Sequence, residues 1–180
     1  EFYDDLYWNT GVSSYVEKLD TVNTASASMK KQEGSYFDTF FNHTLSYDKR
    51  NQRYKTSDGY ISRFTQNIPL ISESYTLINS YDYKIYNEWL NENVFSIGFF
   101  GKTSNSLSGK NVKLSDRLYL PASKLRGFET GKVGPKDGSD YIGGNYVAAM
   151  NIATNLSQIL PNAQNTNFSI FFDAGNVWGV

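Results

Sequence analysis

The chain contains no cysteine and a single histidine, His43. Without thiols there is neither a disulfide framework nor a thiolate metal site, and one imidazole falls short of the ligand sets that zinc requires. An excess of charge of one sign is also missing: 17 basic residues against 18 acidic ones leave a net charge of -1. With no block of like charge, a dedicated nucleic-acid surface is excluded as a reading. No stretch approaches the roughly 18 consecutive apolar residues of a spanning helix, so any membrane crossing must be made by strands. The chain opens on Glu1-Phe2-Tyr3-Asp4-Asp5, which does not read as a signal peptide, and stops at Trp178-Gly179-Val180 as a strand is ending, so both ends are expected to be cuts in a longer protein.

What the chain does have is rings. Its 14 Tyr, 12 Phe and 3 Trp make it 16% aromatic, yet its mean hydropathy is -0.50. A water-soluble core seldom needs so many rings in so polar a chain. A membrane barrel does, because rings form girdles at both interfaces, apolar side chains face lipid and polar ones face the lumen.

Period-two alternation dominates, in segments of about ten residues separated by turn-rich stretches, as tilted membrane strands require. Residues 6–16 set Leu6, Trp8, Val12 and Val16 against Asn9, Gly11 and Ser13; a polar loop, 21–34, follows. Residues 36–47 set Phe37, Phe41, Leu45 and Tyr47 against Asp38, Asn42, Thr44 and Ser46, with Phe40 breaking the pattern. A polar turn ending in Asp58-Gly59 leads into 60–70, then come 76–86 and 94–102, joined by a short connection over 87–93. Alternation lapses over 104–144, far longer than an ordinary loop and therefore either disordered or functional. It resumes over 146–156 and 168–178, with a turn at Pro161-Asn162. These segments predict an all-β chain: an antiparallel up-and-down transmembrane β-barrel, here a partial barrel of about seven strands with one long inward-folding loop. Seven strands cannot close on themselves, so this piece alone is expected to be a curved open sheet with two bare edges. A soluble β-sandwich, such as a carbohydrate-binding domain, also alternates; segment length, aromatic load and the single long loop favour the barrel.

The long loop holds Leu125-Arg126-Gly127-Phe128, followed by a glycine-punctuated run to Pro135. Gly143-Gly144-Asn145 then opens a strand, and Phe171-Phe172-Asp173-Ala174-Gly175-Asn176-Val177-Trp178 ends the chain's last segment. In order and spacing these pieces resemble the BamA-type barrel-assembly insertases, or bacterial surface antigen family, of Gram-negative outer membranes. That family has an Arg-Gly-Phe/Tyr tip in the sixth extracellular loop, a Gly-Gly-Asn before the twelfth strand and a Phe-x-Asp-x-Gly-x-x-Trp-like thirteenth. The likeness runs from about residue 45 onward. Within the family, the Lys31-Gln32-Glu33-Gly34 loop and the Gly131-Lys132-Val133-Gly134-Pro135 run resemble alphaproteobacterial members. The resemblance implies one domain over residues 1–180, about the seventh to thirteenth of sixteen strands, with 104–144 as the extracellular loop.

It further implies an integral protein of the bacterial outer membrane that inserts and folds other β-barrel proteins. Its partners would be nascent barrel proteins, accessory lipoproteins and outer-membrane lipid, and it would have no catalytic residues, cofactor or metal. Relatives that share the loop motif, two-partner secretion and translocation-assembly transporters, remain open, as does a passive porin-like channel. In the family the loop folds back and its tip arginine pairs with carboxylates on the inner wall. Arg126 is that arginine and Asp173, inward by alternation, its partner; a bidentate guanidinium–carboxylate pair suits Arg better than Lys. Leu125 completes the tip, Gly127 allows a tight turn and Phe128 is expected to wedge against the wall. The family's second inner-wall acid aligns with Ala153, which carries no charge, so Glu129 or Asp140 would have to compensate.

Other residues point to less. His43 falls on the lipid-facing row and reads as an interface residue. Asp38, Asp82 and Lys84 read as ordinary lumenal charges without a nucleophile–base arrangement. Gly131 to Gly138 lacks the Gly-Lys-Ser/Thr ending that cradles phosphate.

Overall fold

The computed structural model describes residues 3–89, 93–156 and 168–180. Seven antiparallel strands form one sheet in the order β1-β2-β3-β4-β5-β8-β9. They are β1 (Leu6–Leu19), β2 (Gly34–Asp48), β3 (Gly59–Ile71), β4 (Thr76–Trp89), β5 (Asn93–Ser106), β8 (Tyr146–Asn155) and β9 (Ser169–Trp178); β6 (Lys136–Asp137) and β7 (Asp140–Tyr141) make a small separate hairpin. Each long strand pairs with its neighbour in sequence, with β6 and β7 lying inside the connection from β5 to β8, so the topology is up-and-down. No helix among the described residues is long and apolar enough to cross a membrane.

The strands outrun the alternation because pairing continues into the polar rims. β1 extends to Leu19, β4 to Trp89 and β5 to Ser106, so residues 104–106 belong to a strand and the loop starts after them. The expected loop over 21–34 contains one helical turn, α1 (Ala27–Lys30). The turn expected at Pro161-Asn162 lies outside the described residues.

One face of the sheet carries the long loop, and we call it the inner face. Phe40 explains its own break in the pattern here: it sits on the inner face, buried, with its ring stacked 6.1 Å from that of Tyr15. The apolar core lies between loop and wall, where Leu118, Leu120 and Leu125 pack on Val147 and Ala149 of β8 and Val177 of β9. Chain order thus puts the core on the side that a porin-like tube would leave to water.

The outer face exposes Trp8, Val12, Phe37, Leu45, Phe64, Tyr81, Phe99, Ile170 and Phe172. Crossing this apolar face is a row of hydrogen-bonded polar side chains. His43 Nε2 meets Gln66 Oε1 (3.2 Å), Gln66 Nε2 donates to Asn79 Oδ1 (2.6 Å), and Asn79 Nδ2 donates to Thr103 Oγ1 (3.3 Å). Asn105 Nδ2 also donates to Thr103 Oγ1 (3.2 Å), and Tyr146 OH donates to Asn105 Oδ1 (3.2 Å). The row links β2, β3, β4, β5 and β8.

Candidate functional site

The loop from β5 to β8 is tied to the inner face at several points, among them Lys113, Lys124 and Arg126. Its tip residue Arg126 grips Asp173 of β9 three times: Nε donates to Oδ2 (2.7 Å), Nη2 to Oδ1 (2.6 Å) and the backbone N–H to Oδ2 (3.0 Å). The guanidinium also lies 3.7 Å from the centre of the Phe171 ring. Asp173 is 3% exposed, Arg126 36%. A carboxylate so enclosed needs its charge matched, and the two-pronged guanidinium supplies both the charge and a fixed direction.

The remaining oxygen capacity of Asp173 is met by Asn151 of β8, its register partner, whose Nδ2 donates to Asp173 Oδ1 (2.8 Å) and to the Lys124 carbonyl (2.8 Å). Asn151 therefore occupies the place beside the arginine that sequence alignment gave to Ala153. Ala153 stands two residues along, opposite Phe171. A two-residue offset preserves the face, so alternation alone does not detect it. Neither suggested substitute acid joins the pair: Glu129 is exposed, and Asp140 accepts the Ser26 N–H (3.0 Å).

Phe128 departs from expectation. It is 60% exposed, because Gly127, in the left-handed region at φ 85°, turns the chain away after Arg126. The aromatic contact to the guanidinium comes from Phe171 instead, which alternation places on the same face as Asp173. Leu125 points the other way into the core, 6% exposed.

Gly143, Gly144 and Asn145 form the hinge into β8. Gly144 exchanges two backbone bonds with Leu118 (2.8 and 3.0 Å), the Asn145 N–H bonds the Gly179 carbonyl (2.8 Å), and the Asn145 carbonyl takes the Ser104 N–H (2.8 Å). A Cβ on Gly144 would stand 2.5 Å from the Trp178 carbonyl oxygen. Gly144→Ala is therefore expected to push β9 off its seat and cost about 1–3 kcal/mol, read as a lower unfolding temperature.

Two further contacts were not legible as a site in the sequence. Lys124 bonds the Asp82 carboxylate of β4. Lys113, 4% exposed, sits between Asp38 (2.7 Å; 1% exposed) and Glu17 (3.0 Å), with its ammonium 4.8 Å from the Tyr36 ring centre. Ser72 donates to Asp38 (2.6 Å) and Ser74 to Asp116 (3.2 Å), so the β3–β4 hairpin joins the cluster. Burial alone would lower the Lys113 pKa, but hydrogen bonds to Asp38 and Glu17 raise it above its ordinary 10.5. Burial raises the Asp116 carboxyl. Asp38 and Asp82, read from sequence as ordinary lumenal charges, are thus both ends of loop contacts. The one available signal was the charged run from Lys110 to Arg117, facing no partner nearby in sequence.

The model of the Omp85 superfamily domain matches residues 3–180. The chain belongs to the Omp85 superfamily. Omp85 proteins are outer-membrane β-barrel proteins, and the family is a non-enzymatic one. A crystal structure of BamA from Haemophilus ducreyi lacking POTRA domains 1-3 superimposes with a TM-score of 0.82 at 18% identity, over 99% of this chain and 40% of that one. This Omp85 chain therefore has the fold of part of a BamA barrel and spans 40% of the matched chain's length. No curated protein sequence matches it. The likeness to alphaproteobacterial members drawn from 31–34 and 131–135 finds no support among these matches.

Proposed function

We propose that this chain is the loop-bearing wall of an insertase that folds other β-barrel proteins into the bacterial outer membrane. The observation that carries the reading is the Arg126–Asp173 clamp, which holds the tip of a long loop against the inner face of the sheet. A passive pore has no need to fill its interior with a core of leucines and a charged clamp. An insertase does need a stiff wall: if one side of a barrel must open to pass strands into lipid, the opposite side has to keep its register. Nascent barrel proteins are the clients on this reading, with accessory lipoproteins and outer-membrane lipid as partners. The clamp is a positioning device and performs no bond chemistry.

Depleting the intact protein should lower the folded fraction of several unrelated outer-membrane barrels, followed by their heat-modifiable migration in gels. Loss of a single secreted protein with all barrels intact would instead assign the chain to two-partner secretion. Steady ion conductance with no assembly defect would make it a pore.

A further inference from the structure

At the end of the sheet away from the long loop, residues 49–58 join β2 to β3 in a turn closed around Asn51. Asn51 Oδ1 accepts the N–H groups of Ser57 (3.2 Å) and Asp58 (3.3 Å), its Nδ2 donates to Ser57 Oγ (2.7 Å), and its own N–H bonds the Asp58 carbonyl (3.1 Å). A turn held this way presents its side chains in set directions, which removes ordering cost from binding. Arg50 and Arg53 are two of them.

Together with Arg63 of β3 they line an inner-face basin of about 320 Å³. Its one carboxylate, Asp48, is spent on Arg50 through two parallel bonds of 2.7 Å each. Arg53 lies over the Tyr7 ring, 5.8 Å from its centre, and feels Asp48 only at longer range than Arg50 does; among the described residues neither it nor Arg63 forms an ion pair of its own. Three guanidiniums thus face one carboxylate in a concave site.

The register shows why Arg63 is left over. It stands directly opposite Asp82 on β4, the cross-strand acid that ought to neutralise it, but the Asp82 carboxylate is taken by Lys124. With the long loop docked, the Asp82 carboxylate is engaged by Lys124 and Arg63 is left to the basin.

We infer that this basin binds the carboxylates of an acidic, extended polypeptide segment, and that its strength depends on the docked loop through Asp82. The inference rests on the insertase reading for the source of such a segment, an unfolded client on the inner side. Guanidinium forks match carboxylates two bonds at a time. The Tyr7 ring, the Asn9 amide and the Ile61 side chain beside them give a stretch of chain more to hold than a lone inorganic ion would use.

The test is fluorescence anisotropy of a short labelled peptide on the intact protein in lipid nanodiscs at about 0.1 M salt, Asp-rich against the same peptide with Asn. The Asp peptide should bind about tenfold tighter, and Arg53→Gln and Arg63→Gln should each weaken it about threefold or more. Lys55→Gln, on the same turn but outside the basin, should change little. Lys124→Gln should weaken binding from a distance, and adding Asp82→Asn to it should restore affinity, which mere loosening of the loop would not allow. Equal affinity for the Asn peptide, a Lys55→Gln effect as large as that of Arg63→Gln, or no rescue by Asp82→Asn would overturn the proposal. Displacement of the peptide by low-millimolar inorganic phosphate would overturn it in favour of a small-anion site. Peptide binding that persists while depletion leaves barrel assembly intact would sink the insertase reading and spare the basin.

Discussion

Replacing Arg126 with Ala is expected to release the loop tip, open the loop to protease and lower the heat stability of the barrel. The cost follows from what is left behind. Asp173 is almost fully enclosed, so removing the guanidinium strands a buried carboxylate with Asn151 as its remaining side-chain donor. Unpairing a fully buried charge costs about 3–5 kcal/mol, but Arg126 is part of what covers Asp173 and its removal lets water in, so the expected value lies at or below the lower end. Arg126→Lys should recover only part of the loss, because an ammonium restores charge without the second parallel bond or the flat contact on Phe171. Asp173→Asn combined with Arg126→Ala should cost less than the sum of the two single changes, since the second removes the very charge that the first left unpaired. Unchanged protease sensitivity in Arg126→Ala would remove the clamp from any account of the loop.

The second large effect is expected at the other end of the loop. Asp38→Ala takes from the buried Lys113 ammonium its shortest ion pair and leaves Glu17 and, at longer range, Asp116 to face it, at a cost toward the lower end of about 3–5 kcal/mol. Asp38→Leu together with Lys113→Met should recover part of the loss in unfolding temperature, because the two facing charges are replaced by apolar groups, but not all of it, because Glu17 and Asp116 then lose their cation. If the double variant is as damaged as Asp38→Ala, the cluster matters through its serine network rather than through the ion pair. Alkali gives an independent check. The Lys113 pKa is raised on folding, so its contribution is complete below the ordinary value of 10.5 and is lost as pH climbs through the folded value above it. Loop protection should accordingly hold across neutral and mildly alkaline pH in wild type.

The sheet was legible in the sequence because its signal is local. Alternation gave seven segments, and the inward or outward assignment of Asp173, Asn151, His43 and Phe172 follows from parity. Even the anomaly at Phe40 was a signal, marking a ring that had to be buried on the polar side. The loop contacts were not legible from local pattern, since Lys113 and Asp38 are 75 residues apart and Arg126 and Asp173 47 apart. No periodicity connects such pairs; the second was anticipated only through a family likeness. That likeness did not single out Asn151 as the residue beside the clamp, two residues from Ala153, and it did not foresee that Phe128 turns away from the wall.

The polar row across the outer face bears on how the strands find their alignment. Apolar alternation penalises a strand that slides by one residue, because every side chain then changes face, but it is blind to a slide of two. His43, Gln66, Asn79 and Thr103, with Asn105 and Tyr146 at the end of the row, remove that ambiguity, since their bonds from strand to strand belong to the observed pairing. A two-residue slip would unpair the amides of Gln66 and Asn79 together, and away from water nothing stands ready to replace a lost partner. The row acts as a vernier scale printed on the outside of the wall, correcting the spacing error that greasy side chains tolerate.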